Sequence, residues 1–527
     1  MGCKYGIDFG TTNTSVSIRY LDSAANQAVT HCFLMRGVGS LLECLPSVVA
    51  FDSRGPLIVG QAAKEEKINR GDRVTFVSGI KPQLLKDASA DENSEYVKYA
   101  TAILRKVRET AEDQRILLPV EEIEGVVIGV PVGCGDSYKR LLRRILVQAG
   151  YYQDENEAKR KTEFVSEPIA VALHYGTKAQ QAQTVFVFDF GGGTLDFTLM
   201  DISRVGDRME LEQDDVLSKG GLALGGDYLT KQFFIKVFLP KYGREQFEDD
   251  FEIPCYYSLD EIWDALLKTE AGYKLLEELE KCKMALSISR SWRVTLQNPY
   301  VDLEFNREEF EAAIEGELDR ILGAVNKCLQ ESRVRPFRAE DVDVVLMAGG
   351  SSMIPAVQKL LIKRFGRKVK IAEQGEMITS IARGLATAGY NSTGRPRFRD
   401  IADCAYGVWD DATDQVEIII PANTLIEETR IDRFTRAGKF QSFRTLDSMP
   451  TFIRLKIYEV PAEGSPRFLG NIECRLNGQN KFDVFLSLDD SNESGVLSVD
   501  VFDKIRRKFM DEIPQNQRLF EIDSTIS

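Results

Sequence analysis

The stretch YGIDFGTTNTSV, residues 5–16, decides the fold of this 527-residue chain. An apolar run over residues 5–9 carries Asp8, a turn of glycine, threonine and asparagine follows, and residues 15–20 alternate apolar with polar positions. Two short strands around such a turn predict a β-hairpin, with the turn at residues 10–14.

The same plan recurs in VFDFGGGTLDFTL, residues 187–199, where three glycines and Thr194 separate two apolar runs and Asp189 precedes the turn. Glycines let successive backbone N–H groups converge, which makes a concave site for anions. Because carboxylates do not bind phosphate directly, Asp8 and Asp189 beside these turns indicate a metal ion between acid and phosphate, with hydrated Mg²⁺ expected. A single glycine turn is usually structural, but its duplication favours a functional pair.

A third glycine turn lies in DVDVVLMAGGSSMIPAVQKLL, residues 341–361. A strand is predicted at residues 342–347 and a helix from Pro355, whose fixed φ suits a first helical position. Such a strand–turn–helix unit lets a nucleotide approach backbone N–H groups closely. A similar LGGD precedes a helix predicted around residues 229–238.

A long helical pattern extends from residue 259 to about residue 289. Within it Glu280, Lys283 and Ser287 fall on one face of the helix. Such a triplet is ordinarily a solvated charged face, but its polar edge also suits hydrogen bonding to a ribose and an adenine.

Composition excludes several classes of protein. Apolar residues make up 43% and charged residues 28%, which is typical of a globular protein with an ample core, and the length predicts three or four domain-sized units. A net charge of −14 argues against a nucleic-acid partner. No apolar run is long enough to span a membrane, and the strand-like run beginning at Tyr5 leaves no room for a signal peptide.

The cysteines and histidines narrow the chemistry further. Nine scattered cysteines without a CxxC pair argue against structural zinc and disulfides and favour a reducing, cytoplasmic location. The two histidines, His31 and His174, offer few sites for acid–base chemistry. Asp-Phe-Gly occurs twice, but His-Arg-Asp, a GxGxxG loop, a Val-Ala-Ile-Lys strand and a GxxxxGK[ST] loop are missing, which excludes a protein kinase and a P-loop enzyme.

In chain order, eight motifs resemble the nucleotide-binding domain of DnaK-type heat-shock chaperones, the heat-shock protein 70 superfamily: GIDFGTTNT, VGQAAK, SGIKPQLL, FVSEPIAVALHYG, FDFGGGTLDF, LGGDYL, EKCKMALS and MAGGSSMIP. The resemblance covers residues 4 to about 388. It implies an α/β, two-lobed, actin-like ATPase of duplicated ribonuclease-H-like lobes, in which each lobe supplies one phosphate hairpin to a shared cleft.

The resemblance also implies a role for each motif residue. Asp8 and Asp189 would hold waters of a Mg²⁺ shell, Lys81 would lie near the γ-phosphate and the attacking water, and Glu167 and Thr194 would orient water and phosphate. ATP or ADP and Mg²⁺ are the implied cofactors, with K⁺ as a further candidate. The other implied ATP-binding positions are Gly10, Thr11, Thr12, Asn13, Gly191, Gly192, Gly193, Gly225, Gly226, Asp227, Glu280, Lys283, Ser287, Gly349, Gly350, Ser351 and Met353.

The last quarter of the chain has a different pattern. Residues 391–399, NSTGRPRFR, are turn-rich and basic, which is typical of a linker. Short strands follow and predict a β-sandwich, at residues 415–420, 452–460, 468–474, 482–488 and 496–502. The predicted divisions are therefore a nucleotide-binding domain at 1–388, a linker at 389–400, a sandwich at 401–505 and a short C-terminal helix with tail at 506–527.

The sandwich resembles the family's peptide-binding domain, in which an extended peptide lies along the sheet. A helix predicted at residues 504–512 is too short for the family's helical lid, so a lidless, divergent bacterial-type member is expected.

Some positions depart from the family pattern. Met353 stands where an adenine-stacking Arg is usual, but sulfur–aromatic contacts of roughly 0.3–1.5 kcal/mol approach cation–π contacts of roughly 0.5–2 kcal/mol, so ATP binding is expected to survive. Residues 132–135, after Pro131, replace an aromatic stretch, and RPRFRD replaces an aliphatic–acidic linker. We therefore expect retained hydrolysis, with coupling to peptide binding weakened or differently wired.

The expected function is a slow, chaperone-like ATPase that binds Mg-ATP between its lobes and an unfolded or dedicated polypeptide on its sandwich, with co-chaperones as further partners. The alternative is a nucleotide-gated adaptor or exchange-factor-like regulator with little hydrolysis. A sugar kinase or filament-forming actin relative shares the lobes, but the β-rich C-terminal part disfavours it.

Overall fold

A computed structural model describes most of the chain between Cys3 and Phe509. The ranges outside the described residues are 1–2, 23–26, 33–34, 38–39, 43, 53–54, 71–72, 87–93, 115–122, 133, 177–181, 203–213, 255–256, 372–373, 389–397, 403, 412, 430–437, 445–451, 461–464, 476–480, 490–495, 504–507 and 510–527. Among the described helices, none combines the length and the apolar character that crossing a bilayer requires.

The first lobe is built on the predicted hairpin. Cys3–Phe9 runs antiparallel to Asn13–Asp22 and parallel to Ile123–Val130. Thr162–Ser166 and Gln27–Cys32 form the two edges of this sheet, and Leu45–Pro46 also pairs with Asn13–Asp22. Smaller sheets join Ile58–Val59, Val49–Phe51 and Thr75–Val77, and Met35–Gly37 with Ser40–Leu42.

The second lobe repeats the arrangement. Gln183–Phe190 runs antiparallel to Leu195–Ile202 and parallel to Val344–Ala348. The sheet continues to Val369–Ile371 on one side and to Asp214–Leu222 and Phe398–Arg399 on the other. A separate hairpin pairs Ser291–Gln297 with Tyr300–Asn306.

Helices cover both sheets. Those of the first lobe are Gln61–Arg70, Ile80–Lys86, Glu95–Gln114, Gly135–Gln148, Glu155–Lys161 and Glu167–Gly176. Those of the second part are Gly226–Phe233, Leu239–Tyr242, Arg244–Phe251, Leu259–Leu266, Glu270–Ile288, Arg307–Ala313, Glu315–Gln330, Pro355–Phe365 and Gln374–Thr387, with a π-turn at Phe234–Phe238 and 3₁₀ turns at Ala339–Asp341, Gly350–Met353 and Gly366–Lys368.

Glu167–Gly176 and Gln374–Thr387 pack together between the two lobes. Their contact depends on Gly384, because a Cβ at this position would collide with the carbonyl oxygen of Ala170. The surrounding apolar cluster joins Val127 of the first sheet to Val187 of the second. The lobes therefore share a core, which fixes the position of one hairpin relative to the other.

The C-terminal part forms the predicted β-sandwich. One sheet has the order Gln415–Ile420, Ala405–Asp410, Phe452–Val460, Arg467–Arg475, and the other Lys439–Arg444, Lys481–Asp489, Val496–Asp503, Lys508–Phe509. Side chains such as Val408, Ile457, Val484 and Val499 fill the space between them. A 3₁₀ turn at Ile426–Thr429 lies beside the sandwich.

The segment that precedes the sandwich pairs with the second lobe. Of the predicted linker, residues 389–397 lie outside the described residues, but Phe398–Arg399 adds a parallel strand beside Asp214 and Asp215. Lys219 then pairs with Asp400 at 2.7 Å, and its side chain is only 1% exposed. The domain boundaries given by the sequence stay predictions.

Two predicted helices differ from the structure. The helix predicted from residue 259 to about 289 is interrupted after Leu266, because Thr269 accepts a hydrogen bond from Gly272 N at 3.1 Å and starts a new helix. The helix predicted at residues 504–512 is wrong at Lys508–Phe509, which form a strand because they pair antiparallel with Asp503 and Phe502.

Replacing Asp400 should destabilise the protein, because it leaves the buried Lys219 ammonium without this carboxylate. We expect Asp400→Ala to lower the free energy of unfolding by about 3 kcal/mol, measured by urea denaturation. The matched control is Asp411→Ala, which breaks the exposed Lys456–Asp411 pair and should cost less than about 1 kcal/mol. Equal losses in the two variants would contradict a structural role for the Lys219–Asp400 pair.

Candidate functional site

The two hairpin turns face each other across a cleft. A Cβ on Gly193 would collide with Thr11 Oγ1, and a Cβ on Gly192 would collide with Thr12 Oγ1. The glycines of the second turn are therefore needed for the threonines of the first turn to come this close. Gly191 N donates to Thr194 O at 3.0 Å and closes the second turn.

The third turn is tied to the second. Gly349 has a φ of +76°, and a Cβ there would collide with the Phe190 carbonyl oxygen. Ser351 Oγ donates to Gly191 O at 2.8 Å, and Gly226 N donates to the same oxygen at 3.0 Å. The glycine turns from three parts of the chain thus meet at one place.

These turns enclose a cavity of about 370 Å³. Nearly all of the residues that the sequence proposes for catalysis and ATP binding line it; Gly225 does not, but packs against the carbonyl of Gly192. The sequence missed further lining residues, which are Ser15, Cys44, Met284, Ala285, Ile288, Ile354 and Ile381.

One end of the cavity is charged. Lys81 and Glu167, both buried, form a short ion pair. Burial alone would lower the pKa of Lys81, but the Glu167 and Asp8 carboxylates raise it, so the ammonium keeps its proton. Desolvation, then repulsion by Glu167, raises the pKa of Asp8 to about 7 and raises the pKa of Asp189 well above its usual range. The Lys81 ammonium, which lowers the pKa of both carboxyls, does not offset these effects.

The donor set fits a hydrated divalent cation. Asp8 and Asp189 both line the cavity, and repulsion by Asp8 contributes to the raised pKa of Asp189. No group of three or more His, Cys, Asp or Glu side chains suited to hold a metal exists among the described residues. Two carboxylates, with water and phosphate oxygens as the other ligands, suit Mg²⁺ better than a metal held by protein ligands alone.

Asp196 is a site residue to which the sequence assigned no role, although it belongs to the quoted GGGTLDF motif. It is buried, accepts a hydrogen bond from Thr194 Oγ1 at 2.9 Å and accepts another from Val132 N at 3.1 Å. Its carboxylate therefore fixes the Thr194 hydroxyl and connects it to the segment after Pro131.

The opposite end of the cavity combines polar and apolar groups. Glu280, Lys283 and Ser287 all line it, as the helical spacing predicted. Lys283 Nζ donates to Gly226 O at 2.8 Å and pairs with Glu280 at 2.7 Å. Glu280 also accepts from Thr230 Oγ1 at 2.7 Å, so these groups brace the helix against the glycine turn.

A bridge of two contacts closes the cleft on one side. Lys64 Nζ lies 3.2 Å from Glu277 Oε1, and the rings of Phe76 and Tyr273 are 4.5 Å apart. Lys64 and Phe76 belong to the first lobe, whereas Tyr273 and Glu277 belong to the helix Glu270–Ile288 of the second. This cleft bridge can restrain the lobes from opening.

Comparison with known proteins identifies the family. The sequence model of the Hsp70 protein family matches residues 80–518, so the chain belongs to the Hsp70 family. Its fold class is therefore the predicted one, a two-lobed actin-like ATPase fold followed by a β-sandwich. The predicted resemblance is confirmed, and the chain is a member of the Hsp70 chaperone family.

Its relatives are distant. The stromal 70 kDa heat shock-related protein, chloroplastic, of Pisum sativum is 26% identical over 95% of this chain and 68% of its own length. The heat shock 70 kDa protein 6, chloroplastic, of Arabidopsis thaliana is 26% identical over 95% of this chain and 67% of its own length. The chaperone protein DnaK of Thermotoga neapolitana is 25% identical over 89% of this chain and 72% of its own length.

If the cleft holds a ligand, breaking the cleft bridge should speed its release. We expect Lys64→Ala to raise the dissociation rate of a fluorescent ATP analogue about threefold, because a partly exposed ion pair contributes under about 1 kcal/mol. Stopped-flow displacement measures this rate. Lys359→Ala, which removes an exposed pair with Glu311 away from the cleft, is the control and should leave the rate unchanged. An unchanged rate in Lys64→Ala would mean that the bridge does not restrain opening.

Asp196 should make stability depend on pH. Desolvation, with the Glu167 carboxylate, raises the pKa of Asp196 to about 7, against roughly 3.9 in an unfolded chain. Between these values the unfolded chain loses the proton while the folded protein keeps it, so stability falls as the pH rises and the loss is complete above about 7.

We therefore expect Asp196→Asn to lose less stability than the wild type between pH 5 and pH 7.5, measured by urea denaturation at both values. Asp260→Asn, whose side chain is 81% exposed, is the control and should follow the wild type. Parallel losses in all three proteins would contradict the raised pKa.

Proposed function

We propose that this Hsp70-family protein binds Mg-ATP between its lobes and hydrolyses it slowly to ADP and phosphate. The observation that carries the proposal is the meeting of three glycine turns with the buried Lys81–Glu167 pair in one cavity. Backbone N–H groups of the turns suit the phosphates. The helix Glu270–Ile288 and the turn Gly350–Met353 border the space left for the nucleoside.

Lys81 supplies a permanent positive charge at the phosphate end. Its pKa is raised by Glu167 and Asp8 despite its burial, so it stays protonated throughout the physiological range. A buried ammonium in this position stabilises the negative charge that spreads over a phosphoryl group during transfer to water. Glu167 holds the ammonium in place and leaves its second oxygen for a water molecule.

Thr194 is the group best placed to orient that water. Its hydroxyl donates a hydrogen bond to Asp196 Oδ2, so its oxygen keeps lone pairs that can accept from a water in the cavity. An attacking water that donates to Thr194 Oγ1 is thereby turned toward the phosphate. Asp196 acts only through Thr194 and is a positioning residue.

Asp8 and Asp189 are the residues that would hold the waters around Mg²⁺. When bound, this ion neutralises phosphate charge and polarises the phosphoryl oxygens. Its presence would also relieve the repulsion that raises the pKa of both carboxyls. We propose K⁺ as a further bound ion.

We further propose that the sandwich binds an unfolded or dedicated polypeptide, with co-chaperones as additional partners, and that the protein works in the cytoplasm. The family membership supports a polypeptide client. The strand Phe398–Arg399 and the Lys219–Asp400 pair provide a physical route between sandwich and lobe. We propose that this route couples ATP hydrolysis to polypeptide binding more weakly than a typical linker does.

Hydrolysis can be tested in a single turnover of Mg-ATP in K⁺ buffer. We expect Lys81→Ala to slow it by roughly 10²–10³-fold, with ATP affinity measured separately by calorimetry changing less than about tenfold. Lys281→Ala is the matched control, because Lys281 is on the same helix as the adenosine residues but is exposed and paired with Glu278. The same assay with an unfolded client protein should show a small acceleration.

The outcomes separate the candidates. Hydrolysis lost in Lys81→Ala and kept in Lys281→Ala supports the ATPase. Tight ATP binding without hydrolysis in the wild type would instead favour the nucleotide-gated adaptor. Strong acceleration by client would refute the weakened coupling while leaving the ATPase intact.

A further inference from the structure

Two methionine side chains line the part of the cavity that the proposed nucleoside would occupy. Met284, from the helix Glu270–Ile288, and Met353, from the 3₁₀ turn Gly350–Met353, both line the cavity. Ala285, Ile288 and Ile354 line the same cavity, and Ile288 follows Met284 by one helical turn. Met284 is 55% exposed, so its thioether is accessible to a ligand.

The lysines that line the cavity are already paired within the protein. Among the described residues that line the cavity there is no arginine, and the two lysines are Lys81 and Lys283. Lys81 is paired with Glu167 at the other end, and Lys283 is held by Gly226 O and Glu280. No lining cation is therefore left to stack on a base.

The polar groups near this end are committed as well. Ser287 Oγ donates to Lys283 O at 3.2 Å, and Glu280 accepts from Thr230 and pairs with Lys283. Since the Ser287 proton is engaged by Lys283 O, this hydroxyl is not free to donate to a base, and rejection of an analogue requires a site built to hydrogen-bond it.

On the basis of the proposed nucleotide binding, we propose that Met284 and Met353 form a thioether clamp that determines base specificity. The clamp selects a base by the size and polarisability of its ring and not by its exocyclic groups, so it accepts purine triphosphates as a class. Sulfur stacks favourably against aromatic rings, and the flexible methionine side chain adapts to either purine.

The test uses the full chain and a probe without a base. Calorimetry gives the dissociation constants of Mg-ATP, Mg-inosine triphosphate, Mg-CTP and Mg-tripolyphosphate. Inosine triphosphate, which keeps the ring and changes the exocyclic group, should bind within about threefold of ATP. CTP, with its smaller ring, should bind about tenfold more weakly than ATP.

The variants are Met284→Ala and Met353→Ala. Each should lower the ratio of ATP affinity to tripolyphosphate affinity by about twofold to tenfold. Met284→Leu keeps the apolar volume without the sulfur and should recover part of the loss. Ile362→Ala, which truncates an exposed apolar side chain that does not line the cavity, is the control and should leave the ratio unchanged.

An oxidation footprint tests the clamp without any substitution. Hydrogen peroxide transfers one oxygen atom to a methionine sulfur, giving the sulfoxide and water. Mass spectrometry follows the sulfoxide at Met284. Mg-ATP should slow this oxidation at least about threefold, since a stacked base covers the sulfur, while Mg-tripolyphosphate should leave the rate within about twofold of the free protein.

The results distinguish the clamp from the wider proposal. If ATP binds more tightly than tripolyphosphate but neither methionine variant changes the ratio, or if ATP fails to protect Met284, the clamp is wrong and nucleotide binding stands. If inosine triphosphate is rejected more than about tenfold, the base is read by hydrogen bonds and the clamp is again wrong. If neither ATP nor tripolyphosphate binds, both proposals fall together.

Discussion

The close contact of two turns from different lobes is the constraint on which the rest of the site depends. Thr11 and Thr12 can lie against residues 192 and 193 only because both of those residues are glycines. This contact brings residues of both turns to the lining of one cavity. The shared core between the lobes, including Gly384 against Ala170, keeps the two hairpins in register.

The side chains around this contact carry more negative than positive charge. Asp8, Asp189 and Asp196 surround a single Lys81–Glu167 pair, and desolvation with repulsion by Glu167 raises the pKa of all three acids. In a structural core such an arrangement would be costly, because buried charges need partners. At the proposed Mg-ATP site it is useful, because a bound cation would supply the missing positive charge and relieve the repulsion.

The parts of this structure that local patterns determine could be predicted from the sequence. Both hairpins, the helix beginning at Pro355 and the strand Phe452–Val460 agree with the predictions, because glycine turns, a proline start and period-two alternation act over a few residues. Nearly all proposed site residues also line one cavity. Their roles stay predictions.

The parts that depend on tertiary contacts were missed. A strand at Lys508–Phe509 forms because a sheet edge is available, although its sequence favours a helix. The break before Thr269 depends on a side-chain cap. Asp196 could be recognised as a site residue only from its hydrogen bond with Thr194. Met284 could be recognised only because it lines the same cavity as Met353.

The junction between lobe and sandwich joins the proposed nucleotide site to the sandwich through one sheet. Phe398–Arg399 extends the same sheet that carries Asp189 and Thr194 at its cavity end, so a shift of this sheet displaces the sandwich attachment as well. Ile401 and Leu425 are buried in the cluster that also contains helix residues of the interlobe layer. A movement of this sheet relative to the other lobe would therefore also act on the sandwich contact. This apolar cluster favours docking of the sandwich, and the cost of burying the Lys219–Asp400 charges opposes it.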